Sequence, residues 1–208
     1  NGKTILITGG NSGIGLATAR LLLENGARVA ITGRDQAKLD AAVADLGGDV
    51  LGIKADVNNL ADIDVVVKTL TEAFGSLDVV FANAGISGAT PLGNTTLEAF
   101  ESIVRTNLTS LFFTVQGVLP LLKEGSSVIL NGSVMRELGS PGSSAYSATK
   151  GAITSMAKVF ASELAPQGIR VNTVIPGATR TPIWTRGSRA GSTADATEKA
   201  MAPRIPMG

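Results

Sequence analysis

Three features of the sequence predict an α/β domain in which a doubly wound parallel sheet lies between two layers of helices. Short runs rich in β-branched residues alternate with longer amphipathic runs along the chain. The short runs are apolar almost throughout, as strands buried on both faces are, rather than at every second residue. The first of them passes through the glycine-rich turn ILITGGNSGIG straight into an apolar-striped helix. Right-handed crossovers then place helices on both faces, giving a three-layer α/β/α, Rossmann-type architecture. Ligands of such sheets bind beyond the C-terminal ends of the strands, near the point where strand order reverses.

In chain order, the β-branched runs predict strands over Thr4–Thr8, Arg28–Thr32, Val50–Ala55, Leu77–Ala82, Ser127–Asn131 and Ile169–Val174. The amphipathic runs predict helices near Gly13–Asn25, Gln36–Leu46, Ala61–Phe74, Leu97–Leu122 and Ala145–Ala165. Pro120 ends or bends the fourth, because it lacks an N–H and clashes with the preceding turn. The 208 residues fit one domain with a substantial core, covering residues 1–208.

Composition narrows the chemistry. The chain has neither His nor Cys, which excludes a Ser-His-Asp triad, a thiolate nucleophile, a structural zinc and disulfides; no metal site is expected. Proton chemistry must use Tyr, Lys, Asp or Glu. A net charge of +1 lacks the basic excess of a nucleic-acid binder. The best candidate for a membrane span, LFFTVQGVLPLL, is interrupted by Thr114, Gln116 and Pro120, so no membrane association is expected. No signal peptide is visible, although the chain opens on Asn1, and a cytoplasmic location is the expectation.

The first strand-to-helix junction is the strongest phosphate-binding signal. Gly9, Gly13 and Gly15 can supply a tight turn, close approach of backbone to a pyrophosphate and close helix packing, with the helix N-terminus facing the anion. Their spacing, Gly-x-x-x-Gly-x-Gly, is not the usual Gly-x-Gly-x-x-Gly, and by itself is compatible with a plain turn.

The stretch Ser133–Lys150 carries the only tyrosine, Tyr146, with Lys150 four residues on. On a helix these share one face with Cβ atoms about 5–6 Å apart. An ammonium so placed favours phenolate over phenol, drawing a group that ordinarily titrates near about 10 toward neutrality, where a general acid or base works best. Ser133 follows an apolar run that delivers its hydroxyl to the C-terminal edge of a strand. Taken alone, the pair also reads as a half-buried aromatic beside a solvated lysine.

These motifs, in this order, resemble those of the short-chain dehydrogenase/reductase family in its single-domain branch, from Lys3 to about Thr181. TGGNSGIG, with Gly9, Asn11, Ser12, Gly13, Ile14 and Gly15, is similar to the family's Thr-Gly-x-x-x-Gly-x-Gly turn. Asp56-Val57 resembles a pair that contacts adenine, and Asn83-Ala84-Gly85 most of an Asn-Asn-Ala-Gly motif, with Ala82 in place of its first Asn. Asn107, Ser133, Tyr146 and Lys150 match the catalytic tetrad; Pro176, Gly177 and Thr181 match the segment that holds the nicotinamide. The resemblance implies hydride transfer between the cofactor and a ketone or secondary alcohol, with Tyr146 as general acid/base. Ser133 then bonds the reacting oxygen, Lys150 also binds the ribose hydroxyls, and Asn107 holds a water linking Lys150 to solvent; read structurally, Asn107 bonds nearby backbone instead. The family also implies a homodimer or homotetramer. An alternative is a non-catalytic NAD(P)-binding redox sensor or scaffold of the same fold.

The second strand ends in Thr32, Gly33 and Arg34, without the carboxylate that would accept from an adenosine 2′-hydroxyl. A guanidinium at Arg34 suits a 2′-phosphate, which favours NADP(H). NAD(H) remains open, because Asp35 is adjacent and Ser12 stands where some NADP-dependent relatives carry a basic residue.

Residues 182–208 are expected to form a substrate lid, with the small-residue run GSRAGSTADAT composed as a mobile lid is. Trp184 reads equally as a pocket wall or as a lid anchor, and Met135 is a further candidate wall. Arg180, Arg186, Arg189, Lys199 and Arg204 outnumber Asp195 and Glu198, more in keeping with a solvated surface than an anion site. The chain stops at IPMG, where members of the family usually continue through another helix and a seventh strand, so a truncated chain is expected.

Overall fold

In the computed structural model, residues 2–185 and 193–205 are described. The order of elements is β1 (Thr4–Ile7), α1 (Gly13–Glu24), β2 (Arg28–Gly33), α2 (Gln36–Leu46), β3 (Val50–Lys54), α3 (Leu60–Phe74), β4 (Leu77–Ala82), α4 (Leu97–Val104), α5 (Ser110–Val118), β5 (Leu122–Asn131), α6 (Ser144–Leu164), β6 (Arg170–Val174) and α7 (Ala194–Met201). The strands form one parallel sheet in the order β3-β2-β1-β4-β5-β6. Strand order therefore reverses between β1 and β4, which puts the ligand-binding crevice above their C-terminal ends.

The pleat explains the continuous apolar strands. On one face Ile5, Ile7, Val29, Ile31 and Phe81 pack against Ala19 of α1 and Leu39 and Ala42 of α2. On the other, Leu6, Ala30 and Val80 meet Val66 and Leu70 of α3 and Val118 of α5. Farther along that face, Val128 and Leu130 meet Leu111, Val115, Ile153 and Phe160 of α5 and α6. Burying each such side chain contributes about 1.5–3 kcal/mol, so both faces must be apolar. β6 lies at the edge of the sheet, and its residues are half or fully exposed.

The expected fourth helix is the main departure. Instead of one helix over Leu97–Leu122, α4 passes into a π-helical turn, Arg105–Thr109, then α5, then a 3₁₀ turn at Leu119–Leu121 containing Pro120. Pro120 does end the helix, as its missing N–H requires. β5 starts at Leu122 rather than Ser127, pairing Leu122 with Leu77 before a register shift. The charged residues Lys123 and Glu124 hide that start from any hydrophobic reading.

One polar cluster fixes the N-terminal edge of the sheet. The Asp78 carboxylate accepts from the Thr4 N–H at 2.9 Å and the Lys3 ammonium at 3.0 Å, with Lys123 at 3.6 Å. Burial alone would raise this carboxyl, but the Thr4 bond and the two ammonium groups outweigh it and hold it down to about 2. A depressed acid stabilises the fold above its unfolded value near 4, and that stability is lost as pH falls toward about 2. Asp78→Asn should cost about 1–2 kcal/mol at pH 7 and almost nothing at pH 2, as read from urea unfolding at both pH values.

Candidate active site

The glycine turn between β1 and α1 is built by close approach. Gly9 and Gly13 adopt left-handed φ values of 63° and 56°, which residues with a Cβ rarely take. A Cβ on Gly15 would lie 2.6 Å from the Gly9 carbonyl oxygen and 2.7 Å from Asn83 Nδ2, and one on Gly13 would meet the Thr181 side chain at 3.3 Å. The turn is thus pressed between the loop after β4 and the segment after β6. The Thr8 hydroxyl accepts the N–H groups of both Asn83 and Ala84 at 3.0 Å, fastening those loops together. Ser12, at the N-cap of α1, makes no side-chain capping bond, so its side chain does not satisfy the first N–H groups of the helix. A bare cradle at a helix N-terminus is the geometry that phosphate groups select.

From this turn a chain of hydrogen bonds runs to the lysine. Asn83 Nδ2 donates to the carbonyls of Thr8 (3.0 Å) and Gly9 (3.3 Å), and Asn83 Oδ1 accepts from Asn131 Nδ2 (2.9 Å). The Asn131 carbonyl, at the end of β5, accepts from Lys150 Nζ at 2.6 Å. Lys150 is 4% exposed, and this burial pulls its ammonium down to about 8. Its Nζ stands 5.6 Å from the centre of the Tyr146 ring, so the expected pair does share one helix face. Tyr146 is half-buried, one turn nearer the start of α6 and thus farther above the sheet end.

Ser133 lies just past β5, 7% exposed, at the head of a 3₁₀ turn over Val134–Arg136. Its oxygen accepts the Met135 N–H at 3.2 Å, which leaves the hydroxyl proton to donate elsewhere. Arg136 ties that turn to α6 through the Thr154 hydroxyl at 3.1 Å. The Val134 N–H donates to the Pro176 carbonyl at 3.1 Å, so the Pro176-Gly177 segment borders the serine loop while Thr181 borders the glycine turn.

Asn107 is 1% exposed and sits inside the π-helical turn. Its side chain is fully engaged: Oδ1 accepts the Ile86 N–H at 2.8 Å, and Nδ2 donates to the Ile86 carbonyl at 2.9 Å and the Thr149 hydroxyl at 3.4 Å. The backbone-bonding alternative therefore describes the side chain, which clamps the Asn83-Ala84-Gly85 loop to α6. At the π turn the Ser110 N–H reaches past Thr106 to the Arg105 carbonyl, while the Ser110 hydroxyl covers the Thr106 carbonyl at 2.6 Å. Single π turns recur at functional sites.

At the far end, Arg34 is exposed, and among the described residues no hydrogen bond or ion pair engages its guanidinium. Asp35 does not turn inward: its carboxylate caps α2 through the Lys38 N–H at 3.1 Å and pairs with the Lys38 ammonium at 2.9 Å, which lowers its pKa. The Asp56 carboxylate accepts from Asn58, and Asn58 Nδ2 reaches the Thr106 hydroxyl at 3.2 Å, linking the Asp56-Val57 loop to the π turn.

In the C-terminal segment Trp184 is 6% exposed within a 3₁₀ turn over Pro182–Thr185, a burial that suits a pocket wall and a lid anchor alike. Part of the run read as a mobile lid is helical: α7 begins at Ala194 with Thr193 as its cap. Arg180 pairs with both Asp195 and Glu198 of α7, reducing the free positive charge there. Arg186, Arg189, residues 187–192 and Gly208 lie outside the described residues. Sequence reasoning passed over Asn131 and Thr90, whose partners are distant in the chain; for Asn131 the one available signal is an amide closing an apolar strand. Among the described residues no acidic cluster gathers as a metal site would, and no helix is long and apolar enough to cross a membrane.

Residues 3–190 match the family model described as short chain dehydrogenase. An oxidoreductase of Sarocladium schorii is 45% identical over 88% of this chain and 74% of its own length. A 2,5-dichloro-2,5-cyclohexadiene-1,4-diol dehydrogenase of Sphingobium indicum is 36% identical over 89% of this chain and 76% of its own. Among solved structures, a dehydrogenase/reductase from Sinorhizobium meliloti superposes with a TM-score of 0.89 at 35% identity, covering 100% of this chain and 81% of that one. A 3-ketoacyl-(acyl-carrier-protein) reductase from Brucella melitensis, solved with NADH, gives 0.85 at 30% identity over 100% and 92%. With fold, motif order and relatives in agreement, the chain belongs to the short-chain dehydrogenase family and is an oxidoreductase of that family.

Proposed function

We propose that this protein is a nicotinamide-dependent oxidoreductase interconverting a ketone and a secondary alcohol, with Tyr146 as general acid/base and NADP(H) as the favoured cofactor. The observation that carries this reading is the buried Lys150, fixed by Asn131 beneath Tyr146 at the sheet end that also bears the glycine turn. The turn of Gly9, Gly13 and Gly15, packed against the protein with no room for side chains, fits a pyrophosphate because it holds backbone at the N-terminus of α1. The cofactor, when bound, supplies or accepts a hydride at the reacting carbon.

The residues handle the proton and the charge. In reduction the Tyr146 hydroxyl gives its proton to the carbonyl oxygen; in oxidation the phenolate takes it back. The Ser133 hydroxyl donates to the same oxygen, where negative charge accumulates. The Lys150 ammonium favours the phenolate, a pull that weakens as pH rises past about 8. Asn107 acts by holding the Ile86 backbone against α6. Asn11, Ser12, Ile14, Asp56, Val57, Asn83, Ala84, Gly85, Pro176, Gly177 and Thr181 line the cofactor path from the glycine turn outward. Met135 and Trp184 border the substrate side, with the described residues 182–185 and 193–205 as its cover. Exposed Leu97, Phe100, Phe112 and Val159 on α4, α5 and α6 support assembly into a homodimer or homotetramer.

The test is absorbance at the reduced-nicotinamide band with a panel of ketones and secondary alcohols. Turnover supports the enzyme; cofactor binding without turnover across the panel supports the sensor or scaffold instead. Arg34→Ala should raise KM for NADPH about ten-fold or more while leaving NADH nearly unchanged; equal effects on both would refute the NADP(H) preference.

A further inference from the structure

Tyr146 occupies the first turn of α6, two residues after the helix begins at Ser144. First turns fray unless their free N–H groups find acceptors, and a side chain at the N-cap usually supplies one. Ser143 holds that position here and makes no side-chain capping bond. The acceptor comes instead from the loop after β4. The Thr90 hydroxyl accepts the Ala145 N–H at 3.0 Å, although the two residues are 55 apart in sequence.

Thr90 is held as firmly as it holds. It is fully buried at 0% exposure; its N–H donates to the Gly142 carbonyl at 2.8 Å, and its carbonyl accepts from the Ser144 hydroxyl at 2.7 Å. The Ser144 hydroxyl also lies 3.1 Å from the Thr90 hydroxyl, and Thr90 forms a parallel bridge with Ser143. Every element of the α6 start, from Gly142 to Ala145, is thereby fastened to one side chain and its own backbone.

We infer that Thr90 is a positioning residue for the reaction: it caps α6 from outside the helix and fixes the backbone that carries Tyr146 over Lys150. This rests on the proposed acid/base role of Tyr146. Loss of the Thr90 hydroxyl frees the Ala145 N–H, loosens the first turn, and lets the phenol drift from the ammonium one turn below.

The chain contains a single tyrosine, so tyrosinate absorbance reports the ionisation of Tyr146 alone, with or without cofactor. Thr90→Val keeps the shape and removes the hydroxyl; Thr90→Ser keeps the hydroxyl. The expected result for Thr90→Val is a tyrosinate titration moved upward by about one pH unit and kcat reduced about ten-fold, with KM for the cofactor within about two-fold. Thr90→Ser should restore both. Should Thr90→Val fail to fold, Ser144→Ala removes the hydroxyl bonds to Thr90 while retaining a good helix former, and the same upward move is expected at smaller size. A folded Thr90→Val with unchanged titration and kcat, or an unchanged Ser144→Ala where Thr90→Val cannot be made, overturns the inference. An inactive parent chain whose tyrosine nevertheless titrates higher in Thr90→Val would defeat the proposed activity while leaving the cap in place.

Discussion

Replacing Tyr146 with Phe is expected to lower kcat about a thousand-fold, with cofactor KM changed by less than about three-fold. The substitution removes one oxygen and keeps the ring, so the half-buried packing at the start of α6 and the stack near Lys150 persist. What disappears is the group proposed to exchange a proton with the reacting oxygen. General acid/base catalysis contributes about 10²–10⁴-fold, and this chain offers no histidine or cysteine to replace it. Ser133 cannot stand in, because a hydroxyl whose oxygen is already engaged by the Met135 N–H is suited to donating a hydrogen bond rather than to exchanging a proton. Steady-state rates with a responsive substrate, together with cofactor titration, make the comparison. Residual kcat within ten-fold of the parent would remove Tyr146 from the chemistry.

Gly15→Ala should give the second largest effect, and it should appear in both stability and cofactor binding. The added methyl would approach the Gly9 carbonyl oxygen at 2.6 Å, Asn83 Nδ2 at 2.7 Å and the Gly10 Cα at 3.0 Å. Two of these are backbone atoms, and the third is bonded to the carbonyls of Thr8 and Gly9, so none can swing aside. The turn has to open. Overpacking of this kind costs about 1–3 kcal/mol, seen as a lower Tm, and the displaced turn should weaken nucleotide binding about ten-fold or more by calorimetry. A variant with parental Tm and parental affinity would show that the turn is looser than its contacts imply.

The sheet was readable from sequence because its central strands β1, β2 and β4 are largely buried on both faces, and such burial leaves an uninterrupted apolar run. β1, β2 and β4 are recovered within a residue or so at each end for that reason, and the partly exposed edge strand β3 is recovered as closely. The beginning of β5 was not, since the exposed Lys123 and Glu124 lie between Leu122, which pairs with Leu77, and Ser127, which pairs with Val79 after a register shift. The π turn around Asn107 escaped for another reason: amphipathic periodicity is too coarse to register one extra residue in a long helix. Its sequence trace is an indifferent helix former between Thr106 and Leu108, and its cause is distant, in the Ile86 backbone that Asn107 must reach.

Within the site, the glycine turn and the Tyr146–Lys150 pair were legible because local spacing alone fixes their geometry. The parts that hold them are non-local. Asn131 takes its role from Asn83, β4's continuation, and Thr90 from a helix that starts more than fifty residues later. Trp184 reads as wall or anchor from sequence because a lone tryptophan says how much surface will be covered but not by what.

The bonded path through Thr8, Gly9, Asn83, Asn131 and Lys150 joins the glycine turn and the Tyr146–Lys150 pair, the proposed nucleotide cradle and proton-handling site, into a single frame. Arg34 stands outside it, in solvent. On the proposed reading, coenzyme choice is detachable from turnover: an engineer seeking to rewrite which dinucleotide is accepted has a free handle at the tip of β2, whereas tinkering anywhere along the frame would trade recognition against rate.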